Sequence, residues 1–215
     1  MVKLVKLVKP ATKVLFTGFF GIQPKHTQHY ISMWKKLNAT VDPEPYHLRD
    51  VFSVNHRHAI IRDTFQPKQA HYDVIHCISG GCLYLFNLLQ AKHSFTYDRI
   101  IFDSGPYLYS TPQVENFVHQ TYPNSKCIPV KRLIDIYYNN KLGPVNAEYE
   151  RTVLYTPADK LVLTSTMDRT IDQPFVEDFI HKTGAKHVKF PTGAHANIYK
   201  TNMDEYTSAL MDFVK

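Results

Sequence analysis

The chain has 215 residues, of which 44% are apolar, and a formal net charge of +6. This length and composition suit one domain whose core needs neither disulfides nor a structural metal. The basic residues are scattered along the chain instead of gathering on one helix face, which argues against nucleic-acid binding, and no segment reaches the roughly 18 apolar residues of a membrane span.

Short apolar segments alternate with amphipathic ones, a pattern typical of a mostly parallel sheet with helices on both faces. The predicted strands are, in chain order, Lys13–Thr17, Ala39–His47 in part, Val74–Ile78, Arg99–Asp103, Lys160–Ser165 and His187–Phe190. The predicted helices between and after them are Pro24–Leu37, a segment around His58–Phe65, Gly80–Ala91, Gln173–Thr183 and Met203–Val214. We therefore expect one α/β domain spanning residues 1–215.

The segment 106–159 interrupts this alternation. It contains no convincing strand, carries several prolines, and is crowded with tyrosines. It is too long for a plain loop, and open α/β folds bind their ligands at the carboxyl edge of the sheet. We expect a helical lid over that edge, and the alternative is a set of helices that only completes the core.

A serine stands where a predicted strand turns directly into a predicted helix. In Cys77-Ile78-Ser79-Gly80-Gly81 the spacing is that of the G-x-S-x-G nucleophile elbow, with a cysteine in the first glycine position. Small residues are needed there because strand and helix approach closely. The spacing predicts Ser79 as a nucleophile, and the alternative is a serine that caps an ordinary helix.

A serine nucleophile needs a base and an acid that orients the base, and in folds with this elbow they follow later, acid first. Asp168 lies just past the predicted strand Lys160–Ser165, and His195 lies in a small-residue loop after His187–Phe190. We therefore predict the catalytic set Ser79, Asp168 and His195.

Other acids and histidines are weaker candidates. Asp172 lies farther from the strand end and close to a helix start, where capping explains it, so we prefer Asp168. Asp103 follows another strand and either lines the site or fixes the turn at Ser104. His187 lies within a strand, which favours a structural role.

The oxyanion of an acyl-transfer site needs two backbone donors. One is the amide of Gly80, which follows the nucleophile, and the other is expected from a loop after an early strand. Gly18 and Gly21 bracket two phenylalanines directly after the first strand, so we predict the Phe19 amide as the second donor.

The sequence resembles the transmembrane protein 53-like family, whose members look like α/β-hydrolases. The resemblance covers nearly the whole chain and rests on the segments Leu15–Trp34, Ile75–Phe86, Ile100–Pro106, Leu161–Asp172 and Thr192–Tyr206. Its most specific motifs are a strand followed by D-S-x-P and an early G-x-x-G-x-x-x-K-H loop. The resemblance implies an α/β-hydrolase fold and the same triad positions, but no substrate. Ile198 stands where the family usually has a second histidine, which leaves His195 as the candidate base.

These patterns predict a serine hydrolase or acyl transferase for small hydrophobic esters. Phe20, Tyr107, Tyr109 and Tyr137 are expected to line an apolar pocket above Ser79 together with Phe19. The alternatives are a binding or scaffold protein with a hydrolase fold, and a lyase or cyclase that uses the same pocket.

Neither a cofactor nor a metal is expected, because the cysteines lack metal-ligand spacing with histidine. Three cysteines, and an amino terminus whose lysines interrupt the aliphatic residues, favour a cytoplasmic protein without a signal peptide. The sequence does not predict an oligomeric state.

Overall fold

The structure is a computed structural model that describes residues 11–19, 22–44, 67–90, 95–106 and 147–215. Six strands lie in this part of the chain: β1 (Thr12–Thr17), β2 (Ala39–Glu44), β3 (His71–Ile78), β4 (Thr96–Asp103), β5 (Asp159–Ser165) and β6 (Lys186–Phe190). They form one sheet in the order β2-β1-β3-β4-β5-β6, and every neighbouring pair is parallel. The predicted parallel α/β architecture is confirmed.

The helices agree with the sequence pattern, with two additions. They are α1 (Pro24–Lys36), α2 (Gly81–Gln90), α3 (Gln173–Thr183), a short α4 (Ile198–Thr201) and α5 (Met203–Val214), and a π-helical turn covers Glu150–Leu154. The π-helical turn and α4 were not predicted. The predicted helix around His58–Phe65 lies outside the described residues.

Residues 147–159, the end of the predicted lid, pack into the core. Tyr149, Val153 and Leu154 are fully buried, and the rings of Tyr149 and Phe86 of α2 lie 5.7 Å apart. Residues 107–146, where a lid would cover the sheet edge, lie outside the described part of the chain. The lid therefore remains a prediction.

Strand residues alternate between two buried faces because successive side chains of a strand point to opposite sides. Ile75 and Cys77 of β3 pack with α2 and α3 in one apolar cluster. Val74 and Ile78 pack with α1 and α5 in the other. Both faces of the sheet are thus covered, as the apolar strands predict.

At the carboxyl edge of the sheet, β3 and β4 end level with each other, and β5 continues two residues further. Ile78 of β3 is paired with Asp103 of β4, and Asp103 is paired with Leu163 of β5. The segments that follow these three strands therefore emerge side by side. This register brings together residues that are distant in sequence, and the candidate site lies there.

Candidate active site

Ser79 occupies the sharp turn between β3 and α2. Its φ is +52°, in the left-handed backbone region that residues other than glycine rarely adopt. Its backbone N–H donates to the carbonyl of Asp103 at 2.8 Å, which ties the turn to β4. The residue is 7% exposed, and its hydroxyl lies near the histidine of a distant loop.

His195 lies between the serine and an acid. The distance from Ser79 Oγ to His195 Nε2 is 2.6 Å, and His195 Nδ1 lies 2.8 Å from Asp168 Oδ2. With Nδ1–H donating to the carboxylate, Nε2 is left as an acceptor for the serine hydroxyl proton. The structure thus brings the three predicted side chains into one hydrogen-bonded row.

The carboxylate of Asp168 is held in place by its own loop. Its second oxygen, Oδ1, accepts from the Thr170 backbone N–H at 2.9 Å, and the side chain is fully buried. Asp172, the alternative acid, occupies the position before the first residue of α3, where its side chain makes no capping hydrogen bond. The side-chain pairing places Asp168 beside His195, as the order of strand ends predicts.

The dipeptide Asp103-Ser104, at the end of β4, forms hydrogen bonds to the three chain segments that carry Ser79, Asp168 and His195. The Asp103 carbonyl accepts from Ser79, and the Ser104 N–H donates to the carbonyl of Leu163 in β5, the strand before Asp168, at 2.9 Å. Ser104 Oγ accepts from the Ala196 N–H, next to His195, at 2.9 Å. The sequence predicted that Asp103 either lines the site or fixes the turn at Ser104, and it did not predict the hydrogen bond from Ala196 to Ser104.

A buried polar network supports this dipeptide from below. Asp103 Oδ2 accepts from the Tyr206 hydroxyl of α5 at 2.6 Å, and Oδ1 accepts from Ser104 Oγ at 3.1 Å. The Tyr206 hydroxyl also lies 3.1 Å from Nε2 of His76, whose Nδ1 accepts from Trp34 of α1 at 2.9 Å. Burial and the neighbouring Asp103 carboxylate raise the pKa of Tyr206 well above its ordinary value. Tyr206 therefore acts as a neutral donor to Asp103.

The loop after β1 touches the start of α2. A Cβ built on Gly81 would lie 2.1 Å from the Thr17 carbonyl oxygen and 3.1 Å from that of Gly18. Phe19 follows Gly18 and Gly80 precedes Gly81, so the two predicted oxyanion donors belong to segments in contact. Gly81 is the position of the elbow that must lack a side chain, since a Cβ on Gly80 would meet nothing within 4 Å.

A cavity of ≈ 120 Å³, the His195 cavity, opens beside His195. Phe19 forms part of its wall, together with residues of α1, α4 and the loop between β6 and α4. Phe20, Tyr107, Tyr109 and Tyr137, the other predicted pocket residues, lie outside the described part of the chain.

Within the described ranges, one group of side chains has metal-ligand geometry. His71, Asp73 and Asp98 place ligand atoms within 4.8 Å of one another. They lie on β3 and β4 toward the amino ends of these strands, at the opposite edge of the sheet from Ser79. Such partly exposed groups are common without an ion, and this group takes no part in the site.

Comparisons with solved structures identify the fold. An esterase from Pyrococcus furiosus superposes with a TM-score of 0.60 at 12% identity, over 94% of this chain and 80% of that one. An α/β-hydrolase family protein from Desulfitobacterium hafniense superposes with a TM-score of 0.56 at 14% identity, over 96% of this chain and 98% of that one. An esterase from Exiguobacterium antarcticum superposes with a TM-score of 0.55 at 10% identity, over 96% of this chain and 93% of that one.

No protein-family model matches the sequence, and no curated protein matches it significantly. In the described residues, no helix is long and apolar enough to cross a membrane. The strand order, the elbow and the similar solved structures all indicate the same fold. The chain has the α/β-hydrolase fold.

Proposed function

We propose that the protein is a serine hydrolase or acyl transferase that acts on small, largely hydrophobic esters. The observation that carries the proposal is the hydrogen-bonded row of Ser79, His195 and Asp168 on a left-handed elbow. The structural similarity to two esterases supports the same class of reaction.

In the proposed reaction, Ser79 Oγ attacks the carbonyl carbon of the ester while His195 Nε2 takes the hydroxyl proton. The carbonyl electrons move to the oxygen, where the amides of Phe19 and Gly80 stabilise the developing charge. When the intermediate collapses, the bond to the alcohol breaks and His195 gives its proton to the leaving oxygen. Water, or an acceptor alcohol in a transferase, then releases the acyl group with His195 again as the base.

Asp168 orients His195 and stabilises the imidazolium that forms in each step. Because its side chain is fully buried and accepts from both Thr170 and His195, it is held in one position. We also propose a close relation to the transmembrane protein 53-like family on the basis of its sequence motifs. A cytoplasmic location is proposed on the small and odd number of cysteines in the sequence.

The test is covalent labelling with an alkyl fluorophosphonate, read by mass spectrometry of the modified peptide. We expect one adduct on Ser79 and none in Ser79→Ala. Turnover of 4-nitrophenyl butyrate should fall about a thousandfold or more in Ser79→Ala and in His195→Ala, and somewhat less in Asp168→Asn. A folded Ser79→Ala that still hydrolyses the ester at the wild-type rate would overturn Ser79 as the nucleophile. Wild-type protein with neither an adduct nor turnover would overturn the hydrolase proposal in favour of a non-catalytic binding protein.

A further inference from the structure

The His195 cavity combines an aromatic wall with basic groups. Phe19, Tyr30 and Tyr199 supply the aromatic surface, and His26, His29 and Lys200 supply the basic groups. His195 itself also lines the cavity, so the cavity reaches the proposed base, whose Nε2 lies 2.6 Å from Ser79 Oγ.

The basic groups come from two helices that meet at this point. Lys25, His26 and His29 lie near the start of α1, and Lys200 lies on α4, which begins three residues after His195. Lys25 and His26 form the K-H pair of the early loop motif. The proposed triad and oxyanion donors leave this pair without a role.

These groups raise the local positive potential. The pKa of His26 is lowered by its partial burial first, and then by the positive charges of Lys200 and Lys25 and by His29. A negatively charged group in the cavity would offset this repulsion and favour protonated His26. Charge-assisted hydrogen bonds from imidazolium and ammonium groups to anionic oxygen are among the strongest that proteins make.

We propose that the His195 cavity binds an anionic oxygen group, a carboxylate or a phosphate, at the non-reacting end of the ester. This inference rests on the proposed function and narrows its substrate class. The substrate is an ester with an apolar body, which contacts Phe19, Tyr30 and Tyr199, and a charged end held by His26 and Lys200. It narrows the proposed class of small, largely hydrophobic esters to those that carry one anionic group away from the reacting carbonyl.

The first experiment compares esters of similar length. Mono-4-nitrophenyl glutarate carries a carboxylate, 4-nitrophenyl 4-phosphonobutyrate carries a phosphonate, and 4-nitrophenyl pentanoate is neutral. At low salt, kcat/KM should be about tenfold higher for at least one anionic ester than for the neutral one. The better of the two anionic esters identifies the preferred charge, and equal rates for all three would overturn the inference.

Variants test whether the preference comes from this cavity. Lys200→Gln and His26→Gln should each reduce the ratio of anionic to neutral kcat/KM about tenfold. Lys35→Gln is the matched control, because it removes the same charge from the exposed last turn of α1 and should leave the ratio unchanged. An equal loss of preference in all three variants would overturn the assignment to the cavity.

Binding without turnover separates this inference from the proposed reaction. Monomethyl glutarate is titrated into Ser79→Ala while the His26 ring is followed by NMR, with His26→Gln used for assignment. We expect the pKa of His26 to rise on binding, so that binding takes up a proton and weakens as pH rises through the pKa of the bound state. Lys25, His29, Lys200 and His195 are the charged and titratable groups around it, so Lys200→Gln should reduce the rise.

The two results are independent. Binding with the His26 response, but no fluorophosphonate adduct on Ser79, would support the anion site and overturn the hydrolase proposal. Ester turnover without anion preference or His26 response would support the hydrolase and overturn the anion site.

Discussion

Backbone strain in this protein is concentrated around the candidate site. Among the described residues, positive φ angles of non-glycine residues occur at Ser79 (+52°), Ser104 (+53°) and Ala196 (+54°), and away from the site at Asn38 (+59°). Each such residue costs on the order of 1–3 kcal/mol and persists only where surrounding interactions fix it. Hydrogen bonds among Ser79, Asp103, Ser104 and Ala196 supply that constraint, so the strained residues hold one another in place.

Ser104 is expected to position His195 without touching substrate. Ser104→Ala removes the acceptor of the Ala196 N–H and a donor to Asp103. Because a hydrogen bond of this kind contributes about 1–2 kcal/mol, we expect about a tenfold slower rate of fluorophosphonate labelling at Ser79. In a His195→Ala background the same substitution should cause no further loss, because Ser104 acts through His195.

Thr192→Val is the control for Ser104→Ala. It removes a hydroxyl of the same loop that donates to Asn202, on the exposed side, at 2.9 Å. Labelling at the wild-type rate is expected for it. If Ser104→Ala slowed labelling equally with and without His195, the positioning role would be wrong.

At the scale of the elements, the site depends on how closely α2 approaches β1. The helix start lies against the backbone of Thr17 and Gly18, and this approach leaves no space for a Cβ at Gly81. Eight of the residues of α2 are buried, Gly81–Leu88, so the helix has little freedom to move away. Its position therefore fixes the elbow that carries Ser79.

Gly81→Ala should destabilise the protein more than Gly80→Ala. The added methyl group of Gly81→Ala meets a backbone carbonyl, which cannot rotate away, so we expect a loss near the upper end of overpacking costs, about 3 kcal/mol. A Cβ at Gly80 meets no neighbour, and Gly80→Ala should change the free energy of unfolding by less than about 1 kcal/mol. Urea unfolding of both variants measures the difference, and similar midpoints would contradict the packing argument.

For the molecule as a whole, the sequence allowed prediction of those features that depend on local residue patterns. The alternation of apolar and amphipathic segments predicted the strands and most helices, and the positions of Asp168 and His195 after strand ends followed from that order. The contact between Ser104 and Ala196 joins residues 92 apart, and the partners of His76 lie on two helices of one face. No local pattern selects such partners, because they depend on side-chain directions in the packed fold.

The short helix α4 is a second feature that the sequence did not predict. The sequence predicts the last helix from Met203, and the helical turn Ile198–Thr201 before it is interrupted by Asn202. A four-residue helix has too few residues to show amphipathic periodicity. This turn carries Lys200 to the His195 cavity, so the basic character of the cavity was not evident from the sequence.

Global stability should depend on the titration of one carboxyl at the end of β2. Burial raises the pKa of Glu44 from 4.5 to about 7, nearby Asp42 adds to the increase, and Lys68 opposes it. The folded state then binds more protons than the unfolded state between these two values, so the free energy of unfolding falls as pH rises through that window and is level above it. Glu44→Gln removes this dependence. We expect it to match the wild type near pH 5 and to be more stable by on the order of 2 kcal/mol near pH 8.

Urea unfolding of the wild type and Glu44→Gln at about pH 5 and about pH 8 measures this difference directly. Glu205→Gln serves as the control, because Glu205 is exposed in the first turn of α5 and its substitution should leave the pH dependence of the wild type unchanged. The expected sign is opposite to that of an ordinary carboxylate paired in the folded state, which stabilises a protein as pH rises. Two outcomes would contradict this prediction: parallel stability curves between these pH values, or a Glu44→Gln variant that is less stable than the wild type near pH 8. Either would mean that the Glu44 carboxyl is ionised and favourably solvated or paired in the folded protein, and that burial does not dominate its pKa.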